Sequence, residues 1–168
     1  MSRIAAGSTA SRNPTRTFAM MGDSISKDLP PLVIPMPDFR TLRLVASGAR
    51  PPHAYARTAE WLAAELDRAT VVAPDVVPET AVTMHTRVEY RDDVTDQVGR
   101  LTLVYPGEED WDEYRVSVLS PVGAALIGLS EGQSIRWRTP SGGMRGVTAL
   151  RVLYQPYQTS LEIPHMRY

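Results

Sequence analysis

The sequence predicts an α+β protein, in which an antiparallel sheet with one short helix follows a short antiparallel helical hairpin. Three observations lead to this fold class. Apolar residues recur at helical spacing over residues 38–69, on both sides of a loop rich in Gly and Pro. Apolar and polar residues alternate over 82–90, as they do in a strand with one buried face. Residues 116–140 then give a strand, a capped helix, a tight turn and a second strand.

Composition limits the class of protein. A chain of 168 residues fits one domain, and a formal net charge of −1 gives no general attraction to nucleic acid or membranes. The sequence has no Cys, which excludes disulfides, thiolate zinc sites and Cys nucleophiles. No apolar run approaches the roughly 20 residues that span a bilayer. We therefore expect a monomeric cytoplasmic protein that makes no membrane contact.

The N-terminal part divides into three segments. Residues 1–35 lack an apolar period, which predicts a disordered leader, and its excess of basic residues allows weak contact with nucleic acid. Residues 36–70 form the helical hairpin, with Asp38 as the expected cap of the first helix and Ala69 near the end of the second. Residues 71–80 contain two Pro and are predicted to be an extended linker.

Residues 81–157 hold the predicted sheet. The strand at 82–90 places His85 on its exposed face, and the partner strand follows at 100–105. The acidic loop at 107–113 is predicted to be a solvated hairpin tip. Further strands are expected at 114–119, 134–138 and 147–154, with a loose tail at 158–168.

Ser120 begins the one helix of this sheet domain. Its hydroxyl is a good N-cap, and Pro121 stands at the first helical position, where a missing N–H costs nothing. Val122 and the apolar residues after it recur at helical spacing. Gly128 is placed to end the helix.

The same stretch carries a family resemblance. SPVGAALIGL at 120–129, with Ile135, Trp137 and Pro140 behind it, resembles the C-terminal domain of the Gre-type transcription elongation factors. It is similar, more closely still, to the family of regulators of nucleoside diphosphate kinase. Shorter matches stand in the same order at 64–69, 82–88, 102–106 and 153–156. The resemblance implies an FKBP-like fold for the sheet domain and a truncated coiled coil for the hairpin.

The resemblance also implies a partner. Gre-type factors bind bacterial RNA polymerase at the entrance of its secondary channel, and the matching docking residues here are Leu119, Ser120, Pro121 and Val122. Gre factors carry an acidic residue where this chain has Leu119, so we expect an exposed, apolar docking contact. The sequence therefore predicts a non-enzymatic regulator of transcription elongation that competes with Gre factors and needs no cofactor.

Transcript cleavage is one alternative. In Gre factors two acidic residues at the tip of the coiled coil help to hold a catalytic metal ion. The corresponding tip here includes Ser47, Gly48 and Arg50, and residues 46–53 contain no Asp or Glu. Because Arg50 also repels a divalent cation, we expect neither a metal site nor a catalytic residue.

Prolyl isomerisation is the other alternative, because the implied fold is FKBP-like. Such a site is a deep pocket with aromatic walls. The aromatic residues that the predicted domain offers for one are Tyr90, Tyr105, Tyr114, Trp137 and Tyr154.

Overall fold

The computed structural model describes residues 29–49 and 54–158. The first unit is a helical hairpin whose two ends are joined by a pair of short strands. In chain order its elements are β1 (Val33–Pro35), α1 (Met36–Gly48), α2 (Ala56–Arg68) and β2 (Thr70–Val72). Leu42 of α1 and Leu62 and Leu66 of α2 are almost completely buried in the core. The predicted hairpin is therefore present, with bounds close to those expected.

The second unit is a curved five-stranded sheet with one short helix. Its elements are β3 (Arg87–Asp92), β4 (Val98–Val104), β5 (Arg115–Ser117), α3 (Pro121–Leu126), β6 (Ser134–Arg138) and β7 (Met144–Tyr154). The strand order across the sheet is β5-β4-β3-β7-β6. Three of the four strand pairs are antiparallel, which confirms the predicted α+β class.

The fourth pair differs from the prediction. Strands β4 and β5 run parallel, with Thr102 opposite Arg115. The acidic loop at 107–113 is therefore not the tip of a hairpin. The connection between two parallel strands must carry the chain back to the end at which the first strand began. An isolated antiparallel bridge between Asp110 and Arg115 closes this return loop.

Some residues of the predicted leader and of the predicted linker belong to the folded structure. Leu32 and Ile34, which were expected in a disordered leader, are buried at 2% and 0% exposure. Strand β1 pairs in parallel with β2, which takes two residues from the predicted linker, Val71 and Val72. The physical reason is that Leu32 and Ile34 lie against Gly128, whose lack of a side chain leaves room for them. Residues 1–28 of the predicted leader and most of the predicted tail lie outside the described residues.

The predicted strand at 82–90 begins only at Arg87. Before it, the chain turns at His85, which has a φ of 60°, and both Thr83 and Thr86 are buried. The Thr86 hydroxyl accepts a hydrogen bond from the Thr83 N–H at 2.9 Å. The residues before Arg87 therefore form a buried turn with internal hydrogen bonds. The alternation of apolar and polar residues there does not correspond to a buried and an exposed face.

Asp38 has a different role from the predicted one. The N-cap of α1 is Pro35, whereas Asp38 is buried within the first turn. Its carboxylate accepts hydrogen bonds from the Met84 N–H at 3.0 Å and from the Tyr157 hydroxyl at 2.8 Å. Asp38 therefore joins the hairpin to the sheet domain.

Candidate protein-docking site

The turn before α3 is fixed by two serines. The Ser117 side chain accepts from the Leu119 N–H at 3.1 Å, and the Ser117 carbonyl accepts from the Ser120 N–H at 2.9 Å. The Ser120 hydroxyl accepts from the Gly123 N–H at 3.0 Å, which is the predicted N-cap contact. The predicted capping of α3 by Ser120 is therefore confirmed.

Gly123 lets this turn pack closely. A Cβ atom built on Gly123 lies only 2.2 Å from the Ser117 carbonyl oxygen and 3.0 Å from the Ser120 hydroxyl oxygen. Since no side chain fits in that space, only Gly allows α3 to begin directly against the preceding strand. The position of Pro121 and Val122 on the surface depends on this approach.

The four predicted docking residues differ in exposure. Leu119 is buried at 4% exposure, so the expectation of an exposed Leu119 is wrong. The turn from Ser117 to Ser120 interrupts the strand alternation, and both Val118 and Leu119 therefore lie in the core. Pro121 is exposed and Val122 is half-buried, which leaves these two residues accessible to a partner.

Pro121 and Val122 form one wall of a groove of about 660 Å³. Its other walls come from the start of α2 and from strands β3, β6 and β7. Three aromatic side chains line it, namely Tyr55, Tyr90 and Trp137. The groove is mainly apolar and is open to solvent, as sites for protruding apolar groups generally are.

Packing behind the groove fixes two of these rings. The Trp137 ring lies 5.4 Å from the ring of the buried Trp61, measured between centroids. The Tyr90 ring lies over Gly99 of the neighbouring strand, where a Cβ atom would come within 3.0 Å of the Tyr90 hydroxyl. Both rings are therefore held in place before any partner binds.

The rim of the groove is charged. Arg57 of α2 and Arg145 of β7 line it together with Asp92 of β3. Hydrogen bonds from the Thr95 and Val94 N–H groups lower the pKa of Asp92, which keeps its carboxyl ionised. The Arg145 guanidinium lies 3.9 Å from the Asp92 carboxylate. Two cations and one anion thus give the rim a positive balance.

The sequence did not indicate the part of the groove that the hairpin contributes. Helix α2 packs against α3, so the start of the hairpin's second helix lies beside Pro121 rather than away from the sheet domain. No local pattern predicts this packing, because it joins segments that are distant in the chain. One sequence feature pointed to this packing: α2 and β6 each contain a Trp residue. These two residues, Trp61 and Trp137, are in contact in the structure.

The predicted tip of the hairpin is only partly described. Ser47 and Gly48 end α1, and the Ser47 hydroxyl donates to the Leu44 carbonyl at 2.9 Å. Arg50 lies outside the described residues. In the described ranges, 29–49 and 54–158, no group of three or more acidic, His or Cys side chains could hold a metal ion.

The aromatic residues considered for an isomerase pocket do not meet in one place. Tyr90 and Trp137 share the groove, but Tyr105 and Tyr154 line two other depressions. Tyr114 is 68% exposed on the return loop. In the described part of the chain, the aromatic residues that were available for such a pocket are therefore distributed over several sites.

His85 is not simply exposed, as its predicted strand face implied. Its Nε2 atom lies 2.9 Å from a Glu108 carboxylate oxygen, and its ring meets the edge of Tyr105. The hydrogen bond with His85 is the main reason that the pKa of Glu108 is lowered. This pair ties the acidic return loop to the buried turn before β3.

In the 29–49 and 54–158 ranges, none of the helices is both long enough and apolar enough to cross a membrane.

The fold and the capped turn together define the C-terminal domain of a class of transcription factors. Residues 77–154 match the family "Transcription elongation factor, GreA/GreB, C-term". A solved structure, the prokaryotic transcription elongation factor GreA/GreB from Nitrosomonas europaea, is 37% identical with a TM-score of 0.58. The match covers 74% of this chain and 99% of that one. The chain belongs to the Gre-type superfamily of bacterial transcription factors.

Within this superfamily the chain also matches a regulator over most of that protein's length. The chain is 41% identical to the regulator of nucleoside diphosphate kinase of Escherichia coli K12 over 107 residues, which is 64% of this chain and 79% of the relative. It is 36% identical to the transcription elongation factor GreA of Prosthecochloris aestuarii over 80 residues, and spans only half of that protein. The chain is thus a transcription-factor-like regulator that is similar to the regulator of nucleoside diphosphate kinase.

Proposed function

We propose that the protein is a non-enzymatic regulator that binds bacterial RNA polymerase at the entrance of the secondary channel and competes there with Gre factors. The observation that carries this proposal is the rigid turn at Ser120, which presents Pro121 and Val122 at the edge of an apolar groove. Membership of the Gre-type superfamily supports the choice of partner.

The docking surface extends beyond the turn. Pro121 and Val122 on one wall and the Trp137 ring on another together offer an apolar surface with a positively charged rim. An apolar side chain of the partner, flanked by acidic residues, complements this surface. Leu119 supports the turn from within the core and does not itself contact the partner.

The hairpin supports a role without catalysis. Metal-assisted cleavage requires oxygen ligands at the reacting phosphate, and residues 46–53 supply no carboxylate. Helix α2 also lies against the sheet domain rather than extending from it. The protein therefore binds the polymerase surface that a cleavage factor uses, but it does not supply the metal ligands for cleavage.

Binding to purified polymerase tests the docking surface. We expect Pro121→Asp to weaken binding at least about tenfold, because it places a carboxylate in an apolar contact. The fold tolerates this change, since Asp is favourable in the first turn of a helix. Val76→Asp is the matched control, because Val76 is 61% exposed in a different part of the surface. Equal affinity of both variants and the unchanged protein would place the interface elsewhere.

A further inference from the structure

The groove beside α3 has the properties of a small-molecule site as well as those of a docking surface. Its volume of about 660 Å³ lies within the range of roughly 300–1,000 Å³ that ligand pockets show. Its lining combines apolar and aromatic walls with a small number of charged groups at the rim. Such a combination selects ligands that have one apolar and one charged part.

The aromatic walls suit a planar ring. Trp137 packs on Trp61, and Tyr90 lies over Gly99, so the packing behind each ring already restricts its movement. A ligand that stacks on these rings therefore loses little free energy in ordering the site. Offset or edge-to-face contact between rings is favourable beyond the burial of apolar area.

The rim suits an anion. Arg145 lies 3.9 Å from Asp92, which is longer than a hydrogen bond, so its guanidinium donors are not committed to that carboxylate. Arg57 lines the same groove from the start of α2. Guanidinium groups bind carboxylates and phosphates with two parallel hydrogen bonds, which gives both strength and orientation.

We propose that this groove binds a small molecule that joins a planar aromatic ring to a negatively charged group. Nucleoside phosphates and aromatic carboxylates share this chemistry. The ring packs against Trp137 and the neighbouring Tyr90 wall, and the anionic group pairs with Arg145. A bound ligand covers Pro121 and Val122, so it blocks docking; this second step rests on the proposed function.

Titration of the 168-residue chain, followed by the NMR signals of the Trp indole groups, tests the site. The probes are adenosine 5′-monophosphate, adenosine, ribose 5-phosphate and indole-3-acetate. We expect the Trp137 signal to shift saturably with adenosine monophosphate or with indole-3-acetate, and whichever binds more tightly identifies the source. Adenosine and ribose 5-phosphate, which each lack one of the two parts, should bind at least about tenfold more weakly.

Two Arg variants identify the anion contact. Arg145→Gln should lower the affinity about tenfold, because it removes a charge-assisted hydrogen bond. Arg138→Gln is the matched control; Arg138 is an exposed arginine of β6 that does not line the groove. Equal loss in both variants indicates nonspecific attraction of an anion and overturns the proposal. So does ribose 5-phosphate binding as tightly as adenosine monophosphate, or the absence of a saturable shift up to about 10 mM of every probe.

Competition separates this inference from the proposed function. If a probe binds the groove and weakens polymerase binding in proportion to its occupancy, both proposals are supported. If it binds through Arg145 and polymerase binding is unchanged, the ligand site stands and the blocking step fails. If polymerase binds through Pro121 but no probe binds, the docking proposal stands and the ligand site is wrong.

Discussion

At Gly123 the backbone of α3 approaches the end of β5 so closely that a methyl group has no room. The space is bounded by the Ser117 carbonyl and the Ser120 hydroxyl, which are both fixed by hydrogen bonds of the turn. A larger residue must therefore either displace α3 or break the cap. The requirement is local, but it decides where Pro121 stands on the surface.

We expect Gly123→Ala to lower the free energy of unfolding by about 1–3 kcal/mol, the usual cost of overpacking. It should also weaken polymerase binding, because the turn that presents Pro121 moves. Urea denaturation and a binding titration measure the two effects. Gly48→Ala is the control, since nothing lies within 4 Å of a Cβ atom at Gly48. A Gly123→Ala protein as stable as the unchanged one would contradict the close approach.

At the scale of elements, α1 is attached to the sheet domain through a buried carboxyl group. Asp38 is 7% exposed, and desolvation raises its pKa above the usual 3.8 despite the hydrogen bonds from Tyr157 and Met84. The folded protein therefore binds this proton more tightly than the unfolded chain. The contribution of Asp38 to stability is fully present below pH 3.8 and is lost as the pH rises through the raised pKa.

Tyr157→Phe tests this attachment. At pH 7 we expect a loss of about 1.5–3 kcal/mol in the free energy of unfolding, because a hydrogen bond to a charged carboxylate is removed. The loss should be smaller near pH 4, where Asp38 is more often neutral and the hydrogen bond is weaker. Denaturation at several pH values measures both. Tyr154→Phe is the control, since Tyr154 is 55% exposed. A loss that does not depend on pH would show that Asp38 is not the relevant partner.

The elements that sequence alone predicted are those with local signals. Helix α3 has a Ser-Pro start, and β6 and β7 are separated by a turn with Gly142 at a φ of 87°. The sequence missed strand β1 and the pairing direction of the predicted strand β5, and both depend on partners that are distant in the chain. Strand β1 forms only because β2 and Gly128 lie beside it, and β5 is parallel only because the return loop reverses the chain. For the same reason the turn of the docking site could be predicted and the groove could not.

At the scale of the molecule, the described residues place charge unevenly. The return loop carries the exposed acidic residues Glu109, Asp110 and Asp112, whereas Arg57 and Arg145 lie at the groove. A partner with an acidic, partly apolar surface is therefore attracted to the groove and repelled from the return loop. Local charge can therefore favour one mode of approach, although the formal net charge of the chain is only −1.

A transcript-cleavage assay on backtracked polymerase complexes tests the function of the molecule as a whole. We expect no stimulation of cleavage by this protein alone, because residues 46–53 offer no carboxylate for a metal ion. In the presence of a Gre factor it should inhibit cleavage in proportion to its concentration. Excess Gre factor should restore cleavage if, as we propose, both proteins bind one surface.

The Pro121→Asp variant serves as the control in the same assay. It should inhibit less than the unchanged protein at every concentration, because its docking surface is damaged. Cleavage by the protein alone would overturn the non-enzymatic assignment, and inhibition that excess Gre factor does not relieve would overturn the shared site.

The parallel pairing of β1 with β2 has a consequence for how such proteins diversify. Val33 lies opposite Thr70, so the chain leaves the domain and returns to it about 5 Å away. The helical hairpin between these strands is therefore attached to the rest of the chain at two neighbouring points. Insertion or deletion of whole helical turns near residues 49–54 changes the length of the hairpin, while its two attachment points stay in place. Hairpins of different length can therefore share these two attachment points, provided that they keep the contacts of Asp38 and Trp61 with the sheet domain.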